Sequence, residues 1–500
     1  MRPLWIWLGI VLLLLLDPMP AMAAPAEVGN LVDRITWGRT SQVMAEAERL
    51  GPHRWLERQL HPDGDARLPP PVQAQIEAMR ISRETPVEIA MATRAQGKAA
   101  QKVQDPTARL SAQRAYQKAL ADLKQEAITR SLLRAVYSPN QLQEQMTWFW
   151  FNHFNVAAEK SDLRVTVGDF EDKAIRPRAL GKFGDLLKAV ALHPAMLRYL
   201  DNDKNAVGRI NENYAREILE LHTLGVQSGY SQKDVEEMAR VLTGLGVSVA
   251  SGPPPLKSEH RALYVRVGLM EFNPDNHDFG DKVVLGHRIS GGGLSEVDDV
   301  LDLLARQPAT ARNVSRKLAL YFMDSAPQHV VDSMASTFLR EDGDIAKVLA
   351  VLFRSSEFEA SLKRKIKDPV HYVVSAVRLA YDGRIITNPA PLKAWTDALG
   401  QSLYGRDTPD GYALENAAWS GPGQLATLFD VAHQIGANSP NLFQKSASPP
   451  DVRAPPQLQA KILDGRDWRL SDSTRAVLTQ ARTPIEWNAL FLSSPEFLFR

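Results

Sequence analysis

Apolar residues along most of the chain recur every three or four positions, the spacing of one buried helix face. Residues 107–136 form the longest such run, which Pro106 starts afresh after an earlier helix. Ser231 and Asp234 have the spacing of a capping box that starts another helix. Helical spacing is found in several ranges, which are 28–60, 75–137, 140–245, 295–381, 391–400 and 424–435.

The period changes to two between Arg261 and Ile289. Val265 and Val267 alternate with polar or aromatic positions, and a second apolar run begins at Lys282 after a turn-rich segment. Alternation of this kind is typical of a half-buried strand. The sequence therefore predicts a mainly α, multi-helical fold of two or three subdomains with a small β-hairpin near 261–290.

Proline-rich breaks and changes of pattern divide the chain into predicted regions. Residues 446–456 are also rich in proline, which predicts a surface loop. The regions are a signal peptide (1–23), an N-terminal helical region (24–137), a central helical core (138–250), a β-hairpin insertion (251–295), a helical region (296–382) and a C-terminal helical and irregular region (383–500).

The first 23 residues have the layout of a cleavable Sec-type signal peptide. Arg2 precedes an apolar run from Leu4 to Leu16, and Ala21 and Ala23 form an A-x-A cleavage pattern. The run is shorter than the ~20 residues that span a bilayer, although an uncleaved anchor stays an alternative. We expect a periplasmic or secreted product with no membrane span after signal removal.

Composition excludes several classes of site. The chain has no cysteine, which rules out disulfides, thiol nucleophiles and cysteine-ligated zinc or iron–sulfur clusters. Its 59 basic and 58 acidic residues give none of the basic surplus that nucleic-acid binding needs. No haem signature is found, and Gly291–Gly293 lacks the Lys-Ser/Thr of a nucleotide-binding loop.

Residues 211–225 combine an apolar helix face with many polar side chains. At roughly 100° per residue, Asn213 and Glu217 border one edge of that face and His222 borders the other. Polar groups that point into protein are costly unless paired, so this helix either forms a polar network or builds a site. Arg216 is spaced for i,i+4 pairs with Glu212 and Glu220, the usual pattern of a solvated face.

Asn152 and His153 lie in a strongly aromatic segment, Trp148–Phe154. A helix that is apolar all round is buried, so His153 is predicted to be desolvated and neutral. It is either a core histidine or a metal ligand or general base that faces Glu217. Glu217 and His222 are about 140° apart on an α-helix and cannot easily share one ion. A possible divalent metal would therefore need a histidine from another element.

Two loops carry further candidates. His277 and Asp278 are either a general base with its orienting carboxylate or an Asx-type turn. Asp410 and Tyr412 lie in a Pro-Asp-Gly-Tyr turn that either stacks on a sugar or peptide or is pinned to the core by its aromatic residues. A third segment, residues 201–212, partly matches a calcium loop, but Ala206 stands where glycine is needed, which favours a helix-capping loop.

Several motifs together resemble one bacterial family. They are Trp150–Phe154, Leu197–Asn202, Asn211–Glu217, Leu221–Gly225, Tyr230–Val235 with Ala239–Gly244, His277–Asp278, Leu399–Gln401, Thr408–Tyr412 and Ser494–Phe497. In these segments the chain is similar to the domain-of-unknown-function family 1800. The resemblance implies an exported protein, often encoded beside a second exported family of unknown function, number 1501, and it implies no activity.

Two function classes follow from the sequence. The first is a periplasmic binding or assembly protein that acts with an exported partner, with Asn152, Asn213, Arg216, His222, Asp410 and Tyr412 as binding candidates. The alternative is a metal-assisted hydrolase of cell-envelope material, with His153, Glu217, His277 and Asp278 as catalytic candidates. The hydrolase requires these four side chains to converge on one pocket.

Overall fold

The computed structural model describes residues 25–64, 66–226, 228–438, 440–443, 454–464 and 468–500. The predicted signal peptide, 1–23, lies outside the described residues, as do positions 446–453 of the predicted proline-rich loop. Within the described part, the mainly α prediction is confirmed, since long helices alternate with short turns and the strands are brief.

Helices make up the N-terminal part as far as residue 137. The longest of them coincides with the predicted helix 107–136. These helices are α1 (Pro25–Ile35), α2 (Ser41–Leu50), α3 (Pro52–Leu60), α4 (Pro70–Glu77), α5 (Arg80–Arg83), α6 (Pro86–Lys102) and α7 (Pro106–Tyr137).

The central part contains two π-helical turns, π1 and π2, in which backbone hydrogen bonds run five residues along the chain. Its helical elements are α8 (Gln141–His153), α9 (Val167–Asp169), π1 (Phe170–Ile175), α10 (Phe183–Ala191), α11 (Pro194–Tyr199), α12 (Asn213–Glu217), π2 (Ile218–Thr223) and α13 (Gln232–Val241).

The predicted hairpin region forms two small antiparallel sheets. One has the strand order β1-β3-β2 and the other pairs β4 with β5. β1 precedes the predicted interval and joins through its pairing of Leu245 with Phe272. The strands are β1 (Leu245–Val247), β2 (Val265–Val267), β3 (Met270–Phe272), β4 (Lys282–Val284) and β5 (His287–Ile289).

Helices resume at Ser295, as predicted, and continue to residue 498. They are α14 (Ser295–Ala305), α15 (Pro308–Met323), α16 (Gln328–Arg340), α17 (Ile345–Phe353), α18 (Ser356–Ser361), α19 (Pro369–Ala380), α20 (Ala390–Ala398), α21 (Pro422–Gly436), α22 (Leu458–Asp464), α23 (Asp472–Leu478), α24 (Pro484–Leu492) and α25 (Pro495–Leu498). Short 3₁₀ turns lie at Leu163–Val165, Arg176–Arg178, Asn202–Lys204, Ser258–Leu263, Pro274–Asn276, Asn416–Trp419 and Pro440–Leu442.

Local sequence explains many of the helix starts. Ser231 and Asp234 form the predicted capping box before α13, because each side chain accepts from the other residue's backbone N–H. Thr85 and Glu88 do the same before α6. Proline at the first helical position, as in α7 and α19, fixes the backbone angle that the helix needs.

One large apolar core and two smaller apolar clusters hold the described residues together. The large core draws side chains from each predicted region after the signal peptide, for example Val28, Leu142, Met270, Val300 and Leu392. None of the helices in the described ranges combines the length and apolar character needed to cross a bilayer. The predicted region boundaries stay predictions.

The first described helix is tied to the last residue. Arg34 of α1 is fully buried, and its guanidinium donates to the carbonyl oxygen of Arg500 at 2.5 Å and to that of Phe322 at 2.5 Å. Arg500 in turn lies 3.0 Å from His371 Nδ1 and donates to Tyr321 O. Buried guanidinium groups are thus held mainly by backbone carbonyls.

Candidate functional site

His153 ends the aromatic helix α8 and is buried against Phe149, Trp150 and Phe154. Its Nε2 lies 3.1 Å from the backbone oxygen of His222, and its Nδ1 lies 3.1 Å from Lys317 Nζ. An ammonium group can only donate, so Nδ1 accepts and Nε2 carries the hydrogen. Burial, and then Lys317, holds the pKa of His153 well below its ordinary value. Both ring nitrogens are therefore engaged in a neutral imidazole.

Lys317 of α15 reaches this site from the opposite side. Besides His153, its ammonium donates to Leu221 O at 3.1 Å. Burial lowers the pKa of Lys317 to about 8, and Asp410 acts in the opposite direction. The lysine therefore stays mainly protonated at neutral pH. It places a cation against carbonyl oxygens at the end of π2, where the helix dipole favours positive charge.

His222 lies within π2 and is 1% exposed. Its ring packs on Phe154, and burial followed by Lys317 lowers its pKa to about 3. Its Nε2 has no hydrogen-bond partner among the described residues. π-helical turns are frequent at functional sites, and this one turns the carbonyls of Leu221 and His222 toward Lys317 and His153.

The Pro-Asp-Gly-Tyr loop is fastened to the end of α8. Asn152 donates to Tyr412 O at 2.9 Å and accepts from Tyr412 N at 2.7 Å. Asn155 donates to the carbonyls of Arg406 and Thr408, both at 2.8 Å. Gly411 has a φ of +75°, and a Cβ there would lie 2.2 Å from Asn152 O, so only glycine fits this approach.

Glu217 and Asp410 bring carboxylates to the same neighbourhood. Asp410, 58% exposed, accepts from Thr408 Oγ1 and lies 3.5 Å from Arg406. Glu217 is half-buried, and among the described residues no hydrogen bond to its carboxylate is found. Burial, then Glu220 and Asp410, raises the pKa of Glu217, while Arg216 opposes the change. Predicted residues from α8, π2 and the loop thus lie near Lys317, and Glu217 of α12 is close enough to Asp410 for its charge to act on it.

Asn213 and Arg216 lie toward the outside of the same helix. Asn213 is exposed but donates to Leu200 O at 3.1 Å. Arg216 donates to Glu212 at 3.1 Å and to Gln232 at 2.8 Å. Both side chains link α12 to its neighbours, and their predicted binding role stays a prediction.

His277 lies in a different cluster, which is fully buried. Its Nε2 lies 2.9 Å from Glu296 Oε1, and its Nδ1 lies 2.8 Å from Thr243 O. Glu296 also forms an ion pair with Lys282 and accepts from the backbone N–H groups of Gly292 and Gly293. Burial alone would raise the pKa of Glu296, but hydrogen bonds from His277 and Lys282 hold it below its ordinary value.

Asp278 is oriented by an arginine. Arg240 Nε donates to its carboxylate at 2.8 Å, and Gly280 N donates to Asp278 Oδ1 at 2.8 Å in an Asx-type turn. His153 and His277 share none of their hydrogen-bond partners. The contacts therefore separate His153, which lies beside Lys317, from His277 and Asp278, which contact Glu296 and Arg240. No hydrogen bond joins Glu217 to either group among the described residues.

No group of three or more histidine, aspartate or glutamate side chains in the described ranges is arranged to hold a metal ion. The partial calcium motif is a case in point. Asp201 is engaged by Lys160 at 2.8 Å and Lys204 at 2.6 Å, so lysine ammonium groups occupy the positions where a cation would lie.

A concave feature of ligand-binding size lies elsewhere in the described residues. A groove of about 770 Å³ runs between residues 40–46, 67–70, 136–139 and 377–386, and we call it the arginine groove. Tyr137, Tyr381 and the prolines at 69 and 70 line it, together with Arg58, Arg67 and Arg378. Sites for compact ligands span ~300–1,000 Å³, so its size suits a ligand.

Charges in the arginine groove are unevenly paired. Arg58 pairs with Glu46 at 2.5 Å, and Asp382 accepts from Lys461 and from Ser41 N, each at 2.7 Å. Arg67 is exposed, and no ion pair or hydrogen bond of its side chain is found among the described residues.

Arg378 is the buried cation of the groove. It is 3% exposed and donates to the carbonyls of Gly38 and Val136, while one of its NH2 groups has no acceptor among the described residues. Burial lowers its pKa to about 10, which leaves it charged at neutral pH. The groove is therefore electropositive.

The sequence predictions did not include Lys317, Arg67 or Arg378. A single lysine or arginine in an amphipathic helix usually belongs to the solvated face, so its spacing gave no signal. Arg378 had one weak cue, since it stands in the apolar run Val373–Leu379 of α19.

Comparison with known proteins gives one match. A family model described as "Protein of unknown function (DUF1800)" matches residues 30–499. The comparison with curated proteins found no match, and neither did the comparison with solved structures.

Proposed function

This chain belongs to the DUF1800 family, whose description assigns no activity, and we propose that it is a non-catalytic binding protein that holds an acidic polypeptide segment of a partner in the arginine groove. The observation that carries the proposal is a groove of about 770 Å³ lined by two arginines, Arg67 and Arg378, for which no ion pair is found among the described residues. Uncompensated positive charge at a concave surface attracts and orients an anionic ligand.

The two arginines act at different depths. Arg67 is exposed at the rim, where a flexible guanidinium can form a bidentate pair with a carboxylate. Arg378 is fixed beneath the groove by Gly38 O and Val136 O, so it supplies a steady positive potential. The three arginines that line the groove, Arg58, Arg67 and Arg378, outnumber its two acidic residues, Glu46 and Asp382, so the positive potential is offset only in part.

The walls favour an extended segment that carries apolar as well as acidic side chains. Tyr137 and Tyr381 present ring surfaces, and Pro69 and Pro70 give a rigid edge. Tyr137 is fixed through its hydroxyl, which donates to Arg384 O at 2.7 Å and accepts from Ile386 N at 2.8 Å. Preformed walls lower the ordering cost of binding.

The partner expected from the family resemblance, an exported protein of family 1501, is the first candidate to supply such a segment. Export itself belongs to the proposal and is supported by the signal-like residues 1–23. Leu12→Arg together with Leu14→Arg should retain the chain in the cytoplasm, because charge in the apolar run blocks signal recognition. Cell fractionation of both forms checks this, and equal export of both would contradict it.

Binding is tested with a rhodamine-labelled pentaglutamate peptide and its pentalysine counterpart, measured by fluorescence anisotropy at low salt. We expect the acidic peptide alone to bind, and binding should weaken as salt is added because exposed charges are screened. Arg67→Glu should weaken it at least about tenfold, the factor that corresponds to ~1.4 kcal/mol.

Arg312→Glu is the matched control, since Arg312 is exposed on α15 and does not line the groove. This substitution should weaken pentaglutamate binding only slightly, through the change in overall charge. If Arg67→Glu and Arg312→Glu weaken binding equally, or if pentalysine binds as well as pentaglutamate, the groove is not the recognition site.

A further inference from the structure

A second cavity, separate from the arginine groove, lies beside the pairing of residues 365–367 with the end of the chain. Lys367 N donates to Leu498 O at 3.0 Å, and Arg500 N donates to Lys365 O at 2.8 Å. The cavity has a volume of about 230 Å³ and lies between this pairing and the first turns of α21. We call it the α21 cavity.

The walls of the α21 cavity are mainly hydrocarbon. Leu399, Leu425 and Leu428 contribute aliphatic side chains, and Trp419 contributes an indole. Leu425 is 46% exposed, so the cavity has an opening to solvent on the α21 side. A dry apolar cavity of about 150 Å³ already binds benzene, so this one has room for a larger apolar body.

Lys367 lines the α21 cavity and is only 4% exposed. Its ammonium lies 3.7 Å from the centre of the Phe497 ring, and no hydrogen bond or ion pair to it is found in the described part of the chain. A cation–π contact is worth far less than the hydration that a buried ammonium loses. Lys367 therefore lacks a counter-ion.

Neighbouring charges do not supply one. Arg39 pairs with Asp33 at 2.8 Å and Lys365 pairs with Asp324 at 3.0 Å, so both of these carboxylates are already engaged. Tyr372 also lines the cavity, and its buried hydroxyl has no hydrogen-bond partner among the described residues. Lys367, whose pKa burial lowers to about 7, and a buried hydroxyl donor thus flank an apolar space.

We propose that the α21 cavity binds a small apolar carboxylic acid, whose carboxylate pairs with Lys367 and whose hydrocarbon part lies among Leu399, Leu425 and Leu428. The proposal concerns a ligand and a site different from those of the arginine groove. A buried charge is tolerated when it is paired and hydrogen-bonded, and the bound carboxylate supplies both functions. The apolar walls take up a chain that water excludes.

Octanoate is the probe and octanol is its uncharged counterpart of the same chain length, each titrated into the full protein by isothermal calorimetry. We expect octanoate to bind with one-to-one stoichiometry and at least about tenfold more tightly than octanol, since a charge-assisted pair is worth ~1.5–3 kcal/mol. Lys367→Met should abolish this preference. It should also raise the melting temperature of the free protein, because an amine that loses its hydration on burial is replaced by an apolar chain of similar length.

Leu428→Trp, which fills the cavity, should weaken octanoate and octanol alike, whereas Arg312→Glu should change neither. Equal binding of octanoate and octanol by the wild-type protein would overturn the proposal, as would undiminished octanoate binding by Lys367→Met. An absence of octanoate binding at millimolar concentration would overturn it as well. None of these results bears on the pentaglutamate test, so the two proposals stand or fall separately.

Discussion

His153 and His277 are both predicted catalytic histidines and both are buried, yet the charged groups that they face are of opposite sign. His153 faces the ammonium of Lys317, whereas His277 faces the carboxylate of Glu296. In the first cluster a neutral ring accepts from a cation, and nearby His222 Nε2 has no partner among the described residues. In the second, the carboxylate of Glu296 is fully engaged by His277, Lys282 and two backbone N–H groups.

This difference shows that burial alone does not determine the role of a histidine. Around Glu296 the buried carboxylate accepts several hydrogen bonds, which is the pattern of a structural ion network. Around Lys317 a desolvated cation is held by a neutral ring and a carbonyl, and the charge of Asp410 partly opposes the effect of burial on its pKa. The cluster around Glu296 should lose stability as one unit when any of its members is removed. The cluster around Lys317 should respond mainly to a change in charge.

The largest expected effect comes from Glu296→Gln. The change removes the charge that pairs with Lys282 and leaves a buried ammonium without its partner, a loss that typically costs about 3–5 kcal/mol. Urea unfolding of the wild type and the variant at pH 7 measures it. Asp299→Asn, an exposed carboxylate on the same helix, is the control and should change stability by less than about 0.5 kcal/mol. A loss below about 1 kcal/mol for Glu296→Gln would contradict the network.

Acid should act next, through the histidines that are buried neutral. The pKa values of His153, His222 and His371 are all lowered by burial, so the unfolded chain binds more protons than the folded one once the pH falls below about 6.5. Stability is therefore complete above this pH and falls below it, by up to about 1.4 kcal/mol per pH unit for each histidine.

Urea midpoints measured at intervals between pH 7.5 and 5.5 test this directly. The slope should steepen as the pH passes below 6.5, and the unfolding transition should take up more than one proton at pH 5.5. A midpoint that does not change across this interval would show that these histidines bind protons equally in the folded and the unfolded protein.

A smaller effect is expected for Lys317→Met. The variant leaves His153 Nδ1 and Leu221 O without a donor, but it also removes the cost of a desolvated ammonium, so we expect a net loss of about 1 kcal/mol. Nuclear magnetic resonance titration should show a higher pKa for His153, because the repelling charge is gone. Arg316→Met, at an exposed neighbouring position, is the control. A loss of stability as large as that of Glu296→Gln would show that the two clusters contribute to stability in the same way.

The smallest effect is expected for Glu217→Gln. Its carboxylate is half-buried beside Glu220 and Asp410, and no hydrogen bond to it is found among the described residues, so stability at pH 7 should change by less than about 0.5 kcal/mol. Thermal melting at pH 7 measures this. A loss above about 1 kcal/mol would show that Glu217 belongs to a buried polar network. This result would count against its predicted catalytic role.

Helices were the part of the fold that the sequence made predictable. The limits of α7 and the capping box of α13 follow from proline and serine chemistry that acts within a few residues. The strand region was placed in the right part of the chain but as one hairpin, and it forms two small sheets. Pairing between β1 and β3 depends on contacts across 20 or more residues, which a local pattern does not encode.

Helix geometry limited the prediction of the site. Glu217 and His222 were placed about 140° apart on the assumption of an α-helix, but residues 218–223 form a π-helix. Its hydrogen bonds run five residues along the chain, which brings positions five apart closer to one face. Lys317 lay beyond prediction for another reason, because its meeting with His153 joins helices 164 positions apart.

The contact between Arg34 and Arg500 joins residues 466 positions apart, so it can form only after residue 500 has been synthesised. At translation rates of ~5–20 residues per second, α1 would wait on the order of half a minute or more for the carbonyl that its buried arginine binds. The loop-closure cost of such a contact grows only slowly with length. The consequence is instead a delay, during which the nascent chain remains accessible to chaperones.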